Sequence, residues 1–148
     1  MRDVCLYHSG IDKNKILRAV SLVVPKNKAI REFGLIFVSP KKMAEFNLKY
    51  RRLNKPTNVL SFETGDVVVC PAVAAEEAKR YGFTQKNWMT RLIVHAILHL
   101  AGYNHQTFKD ETAMKYLEDK VCGKLGFSLS GNSKSQIPNY KQILNPNF

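Results

Sequence analysis

The chain has 148 residues, of which 45% are hydrophobic and 24% are charged, and it carries a net charge of +11. This apolar fraction is enough for a continuous core and excludes a wholly disordered chain. No apolar run approaches the roughly 18 residues that a membrane-spanning helix needs, so we expect no membrane partner.

The first part of the chain predicts alternating strands and helices. Residues 3–7 read as a short strand, and an acid at position 3 makes the start unlike a secretory signal, which favours a cytoplasmic protein. Apolar residues recur at helical spacing over residues 11–24, where Pro25 ends the helix. Residues 33–38 are β-branched and aromatic and predict a second strand, after which Ser39-Pro40 begins a second helix.

That second helix and its surroundings are strongly basic. Residues 1–55 hold 13 basic and 4 acidic side chains, whereas residues 56–148 hold 10 and 8. A surplus of this size favours a polyanion such as RNA or DNA as partner, although a role in solubility would explain it as well. Pro56 requires the basic helix to end before residue 55.

The later elements continue the mixed pattern. Residues 59–62 and 67–69 predict two strands of a hairpin. A helix follows over residues 71–81 and stops at Gly82, and a further helix begins near Thr84.

These elements predict one α+β domain over residues 1–127. We expect a small mixed sheet of about four strands covered by about five helices. Residues 128–148 begin with small polar residues, and we expect them to form a poorly ordered tail.

Three of the four histidines lie within residues 95–105. His95 and His99 are four residues apart, so on a helix they are offset by only about 40° and about 6 Å and can face one ion. Gly102 can adopt the left-handed conformation that ends a helix, and the chain can then return His105 to the same point. The pattern HxxxHxxGxxH therefore predicts three imidazoles around one centre.

Three nitrogen donors suit one Zn²⁺ ion per chain, with the fourth position open for water. Zinc lowers the pKa of bound water to about 7, so hydrolysis is the natural reaction class. Two alternatives remain at this point. The histidines could be ordinary core or surface residues, or Cys70 or Cys122 could close the site as a fourth ligand. With Cys5, these cysteines form no CxxC pair and read as small buried residues.

The same histidine spacing occurs in metzincin peptidases, where a glutamate after the first histidine is the general base. This chain has Ala96 there, and a methyl group cannot accept a proton. A metallopeptidase lacking the usual base is therefore an alternative rather than the leading interpretation.

Several segments together resemble the YbeY-type rRNA maturation factors, a family of metal-dependent endoribonucleases. They are residues 47–51, 55–62, 65–70 and 95–105, in the order of the family, and the resemblance covers about residues 33–127. Met114 and Glu118 also look like part of the closing helix of that family. The chain departs from the family pattern at Ala96, where glycine is usual, and at Asn104, where aspartate is usual.

The resemblance implies a zinc-dependent endoribonuclease with His95, His99 and His105 as metal ligands and Arg51 as a catalytic arginine. A guanidinium can donate two parallel hydrogen bonds to a phosphate and stabilise charge on its oxygens. Further cations are predicted to contact the RNA backbone without base specificity: Lys41, Lys42, Lys49, Arg52 and Lys55.

The implied partners are single-stranded RNA, rRNA and ribosomal particles, with no DNA. Tyr50 and Phe62 could stack on a base, but aromatic residues at such positions are mostly core, and we read them so. A non-catalytic RNA-binding protein stabilised by zinc stays open as a second alternative.

Overall fold

The computed structural model describes residues 11–23, 33–103 and 106–126. Five helices lie in these ranges: α1 Lys13–Val23, α2 Pro40–Arg51, α3 Pro71–Tyr81, α4 Gln85–Leu100 and α5 Phe108–Lys124. Three strands lie there as well: β1 Gly34–Phe37, β2 Val59–Ser61 and β3 Asp66–Val69. The architecture is α+β, as predicted.

The strands form one mixed sheet in the order β1-β3-β2. β3 is central, parallel to β1 and antiparallel to β2. The β2–β3 hairpin closes where the N–H of Gly65 donates to the carbonyl of Phe62 at 2.9 Å. Gly65 has a φ of 97°, a conformation that glycine adopts without steric cost.

β3 supplies side chains to two hydrophobic cores, because successive residues of a strand face opposite sides of the sheet. Val67 and Val69 join the main core with residues of α1, α3, α4 and α5. Val68 joins a smaller core with Met43 of α2 and Leu60. The α2 helix therefore covers the face of the sheet opposite the main core.

α2 begins and ends as its sequence predicts. The Oγ atom of Ser39 accepts the backbone N–H of Lys42 at 3.2 Å, and Pro40 is the first helical residue. Arg52 ends the helix in the left-handed conformation with a φ of 59°. The helix thus stops before Pro56 requires extended backbone.

α4 is the central helix of the main core, and every residue from Trp88 to Leu98 is buried on it. Complete burial of one large aliphatic side chain contributes about 1.5–3 kcal/mol, so this helix accounts for much of the apolar stabilisation. Within the described ranges, no helix combines the length and the apolar character needed to cross a bilayer.

The hairpin strands, the strand at residues 33–38 and the helices that follow them are confirmed, with boundaries that differ by one or two residues. The strand predicted over residues 3–7 and the tail predicted over 128–148 lie outside the described residues. The described part of the sheet has three strands, so a fourth stays a prediction.

Candidate metal centre and basic surface

His95 and His99 lie one turn apart on α4, and their side chains meet. Their Nε2 atoms are 3.0 Å apart, and the ring planes stand at 77° with centroids 4.7 Å apart. His95 is fully buried, whereas His99 is partly exposed. The pair therefore reaches the surface through His99.

This geometry fits two ligands of one metal ion. Zinc binds imidazole nitrogen at about 2.0–2.1 Å, so two such nitrogens at a tetrahedral angle lie about 3.3 Å apart. The observed separation of 3.0 Å is close to that value. The two side chains are therefore placed as two ligands of one ion would be, and metal binding itself stays a prediction.

The third predicted ligand, His105, lies outside the described residues, as does Asn104. The turn that leads toward it is described. Gly102 has a φ of 99°, the left-handed conformation predicted for it, and its N–H donates to the carbonyl of His99 at 2.9 Å. The chain therefore leaves α4 as predicted, and ligation by His105 stays a prediction.

The geometry bears on two of the alternatives, a cysteine as fourth ligand and a metallopeptidase. Cys70 and Cys122 are buried free thiols, and burial raises the pKa of Cys122 to about 12. Across the described ranges, no group of three His, Cys, Asp or Glu side chains forms a metal site, so neither cysteine closes one there. Ala96 lies in the main core, so that position supplies no base for peptide hydrolysis.

Behind His95 lies a buried carboxylate for which the sequence predicted no role. The Nδ1 atom of His95 contacts Oε1 of Glu118 on α5, and both side chains are fully buried. The Nη2 atom of Arg91 lies 3.5 Å from Glu118 Oε2 and 3.1 Å from Asp119 Oδ1. A metal-binding histidine usually donates its other ring N–H to such a carboxylate, which fixes the ring and its tautomer.

One signal in the sequence could have indicated this carboxylate. Arg91 is the one Lys, Arg, Asp or Glu residue in the run from 88 to 98, where the other side chains are apolar except for Thr90 and His95. A buried guanidinium needs an acid close by, because an isolated charge is costly to remove from water. Glu118, four residues after Met114 on the next helix, meets that need.

Arg51 is the last residue of α2 and is half-buried. Burial lowers the pKa of its guanidinium, although arginine stays charged at any physiological pH. A charge that is partly withdrawn from water binds an anion more strongly than a fully solvated one. Arg51 lies on a different element from the histidines, and its contact with substrate stays a prediction.

The five other predicted cations are exposed side chains on α2 or just after it: Lys41, Lys42, Lys49, Arg52 and Lys55. We call this set the basic surface. Asn47, buried on α2, donates from Nδ2 to the carbonyl of Lys55 at 2.8 Å and so holds the following segment against the helix. Lys42 also pairs with Glu45 at 3.2 Å. Contact of these cations with the RNA backbone stays a prediction.

Comparison with known proteins identifies relatives of this chain. A family model described as endoribonuclease YbeY matches residues 11–126. A protein named endoribonuclease YbeY from Buchnera aphidicola is 36% identical over an alignment of 92 positions, and the match covers 55% of this chain and 60% of the relative. A second protein of that name, from Acinetobacter baumannii, is 38% identical over an alignment of 98 positions. That match covers 55% of this chain and 62% of the relative. The matched part thus spans about 60% of the length of these relatives.

A solved structure also resembles this chain. A protein from Thermotoga maritima, determined in solution, superposes with a TM-score of 0.52 and 25% identity. The match covers 86% of this chain and 89% of that protein. The arrangement of helices and strands described above is therefore similar to one found by experiment.

Proposed function

Because the chain belongs to the endoribonuclease YbeY family, we propose that it is a zinc-dependent endoribonuclease that hydrolyses phosphodiester bonds in single-stranded RNA. The observation that carries this proposal is the pair of imidazole nitrogens of His95 and His99, 3.0 Å apart, with a buried carboxylate behind one of them. This arrangement supports a metal centre, because a metal-binding histidine usually donates its second ring N–H to a carboxylate of this kind.

His95 and His99 would hold one zinc ion per chain, with His105 as the expected third ligand. When bound, zinc supplies a positive charge that polarises a phosphoryl group and acidifies a water molecule. Glu118 would orient His95 by accepting a hydrogen bond from its Nδ1–H, which leaves Nε2 free to bind the ion. Burial of both residues excludes water from this contact.

Arg51 would bind the phosphate at the scissile bond. Its guanidinium can donate two parallel hydrogen bonds to phosphoryl oxygens, which gain charge as water attacks. Burial supports this role, because a donor that is held in place and partly desolvated needs little reorganisation during the reaction. The basic surface would hold the rest of the strand through its phosphates.

The same proposal extends to the biological substrate. The resemblance of the sequence motifs implies rRNA in ribosomal particles, and we propose rRNA maturation in the cytoplasm as the role. A helix that carries several exposed cations suits such a substrate, since a structured RNA particle offers a dense array of phosphates.

The test combines metal analysis with RNA cleavage. We expect the purified protein to contain close to one zinc ion per chain and to cleave a fluorescently labelled single-stranded RNA. A chelator should stop cleavage, and added zinc should restore it. His8→Ala, which changes a histidine outside the motif, should behave like wild type. Binding of RNA with zinc present but without cleavage would instead support the non-catalytic alternative.

A further inference from the structure

Tyr50 is an exposed aromatic residue whose two aromatic neighbours, Phe46 and Phe62, are partly buried. Its side chain is 53% exposed near the end of α2. Phe46 and Phe62 are partly buried and pack against the small core around Met43 and Leu60. Tyr50 is not part of that core, so the interpretation of Tyr50 as a core residue is wrong.

The two phenylalanines support the ring of Tyr50. The centroid of Phe62 lies 4.9 Å from that of Tyr50, with its ring plane at 70°. Phe46 lies 6.2 Å away with its ring inclined by 18°. Aromatic rings attract one another at these distances and angles, so the orientation of the exposed ring is restricted. Tyr50 thus presents a fixed aromatic surface to the solvent.

Cations alternate with the rings on the same side of α2. The Nζ atom of Lys49 lies 5.3 Å from the centroid of Tyr50, and that of Lys42 lies 5.4 Å from the centroid of Phe46. Residues 42, 46, 49 and 50 follow the spacing of one helix face. The lysine side chains are exposed and flexible, so a flat ligand could displace the ammonium of Lys49 from the ring.

We propose that Tyr50 is a base-stacking subsite for one unpaired nucleobase of single-stranded RNA, and this proposal rests on the proposed function for its substrate. Charge complementarity favours this occupant: the face combines an aromatic ring with cations of the basic surface, and single-stranded RNA offers bases and phosphates at matching short intervals. Lys49, on leaving the ring, contacts the phosphate next to the stacked base. Stacking on an aromatic ring tolerates any base, so the subsite selects single strands rather than a sequence.

The test measures binding to two strands that differ only in their bases. The probes are a fluorescein-labelled 2′-O-methyl uridine 12-mer, which resists cleavage, and the same strand with abasic sites at its centre. By fluorescence anisotropy, Tyr50→Leu should weaken binding of the base-containing strand by roughly 5- to 150-fold and leave the abasic strand unchanged. Tyr50→Phe and Tyr50→Trp should bind like wild type, because both keep an aromatic surface.

A matched control is Tyr116→Leu, which changes a tyrosine that is 64% exposed on α5 and should leave binding of both strands unchanged. Equal affinity of wild type and Tyr50→Leu for the base-containing strand would overturn the proposal. So would an equal loss on both strands, which would indicate a damaged helix. Wild-type cleavage of RNA is measured separately. If the wild type does not cleave RNA but still binds the base-containing strand more tightly than the abasic strand in a Tyr50-dependent way, the proposed nuclease activity is wrong and the base-stacking subsite is supported.

Discussion

The Nδ1 atom of His95 on α4 contacts Oε1 of Glu118 on α5, and neither side chain is exposed to solvent. The contact joins residues 23 positions apart in the chain. Because Nδ1 is engaged in this way, Nε2 of His95 is directed toward His99. The helix pair α4–α5 is therefore part of the candidate metal centre, and changes on α5 should alter metal binding.

Glu118→Gln should weaken metal binding while the fold persists. The amide keeps the volume of the carboxylate but loses its charge, so it holds His95 less firmly in the ligand tautomer. Loss of such a supporting group typically costs about 10- to 100-fold in metal affinity. Competition with a chromophoric zinc chelator measures this affinity. The control is Asp119→Asn, which changes the other partner of Arg91 and should retain near wild-type affinity.

His99→Ala should sharply reduce the metal content, because it removes one of the predicted ligands. Elemental analysis after extensive dialysis measures the zinc that remains. The melting temperature in the presence of zinc should fall as well, since an ion bound only by the folded state stabilises that state by mass action. Zinc retained at the wild-type ratio would show that His99 is not a ligand.

Arg51→Ala should reduce RNA cleavage far more than RNA binding. Removing one preorganised donor to a reacting oxyanion typically lowers the rate by roughly 10²- to 10³-fold. The basic surface is unchanged in this variant, so the dissociation constant for RNA should change little. Single-turnover cleavage and anisotropy measure the two quantities separately.

The matched control for Arg51→Ala is Arg80→Ala. Arg80 lies in the last turn of α3, as Arg51 does in that of α2, but it is exposed. The Arg80→Ala variant should cleave RNA at the wild-type rate. If Arg51→Ala also cleaves RNA at the wild-type rate, Arg51 does not take part in the reaction.

Local signals in the sequence predicted the framework of the site. The spacing of His95 and His99 placed both imidazoles on one side of a helix, and Gly102 marked the turn after it. These features depend on residues close together in the chain, so periodicity and backbone preference were sufficient to find them.

Tertiary contacts determine the features that the sequence did not reveal. Glu118 reaches His95 only because α5 packs against α4, and no local pattern specifies that pairing. The sequence could not distinguish Tyr50 from a core residue. In the structure Phe46 and Phe62 pack against the small core, and Tyr50 lies outside it. Burial depends on which side chains of other elements pack against a position, and spacing along one helix does not give that information.

The double variant Lys41→Ala with Lys42→Ala should weaken binding of all RNA sequences alike. Each lysine that neutralises a phosphate releases a counterion, so the slope of log affinity against log salt concentration should decrease by about 1 to 2. Anisotropy titrations at several salt concentrations measure this slope. Lys79→Ala with Arg80→Ala removes two exposed cations from α3 and serves as the control. An identical change in both variants would indicate that net charge, rather than the basic surface, governs binding.

Glu77 should make the stability of the protein depend on pH. Its carboxylate accepts a hydrogen bond from Trp88 Nε1 at 2.9 Å and contacts Asn58 Nδ2 at 3.2 Å. Burial nevertheless raises the pKa of Glu77 above its ordinary value of 4.5, with the hydrogen bonds opposing it in part. The native state therefore holds this proton to a higher pH than the unfolded chain does. Between 4.5 and the raised pKa, stability falls as the pH rises.

Glu77→Gln removes this titration, so its free energy of unfolding relative to wild type should increase as the pH rises above about 4.5 and then level off. The amide has one acceptor oxygen instead of two and carries no charge, so the hydrogen bonds from Trp88 and Asn58 are weaker, which adds a constant penalty and leaves the pH trend intact. Urea unfolding from pH 4 to 7 measures the difference. Glu76→Gln removes an exposed charge from the same helix and supplies the background to subtract. A variant that loses stability relative to wild type with rising pH would show that the bonds from Trp88 and Asn58 outweigh burial.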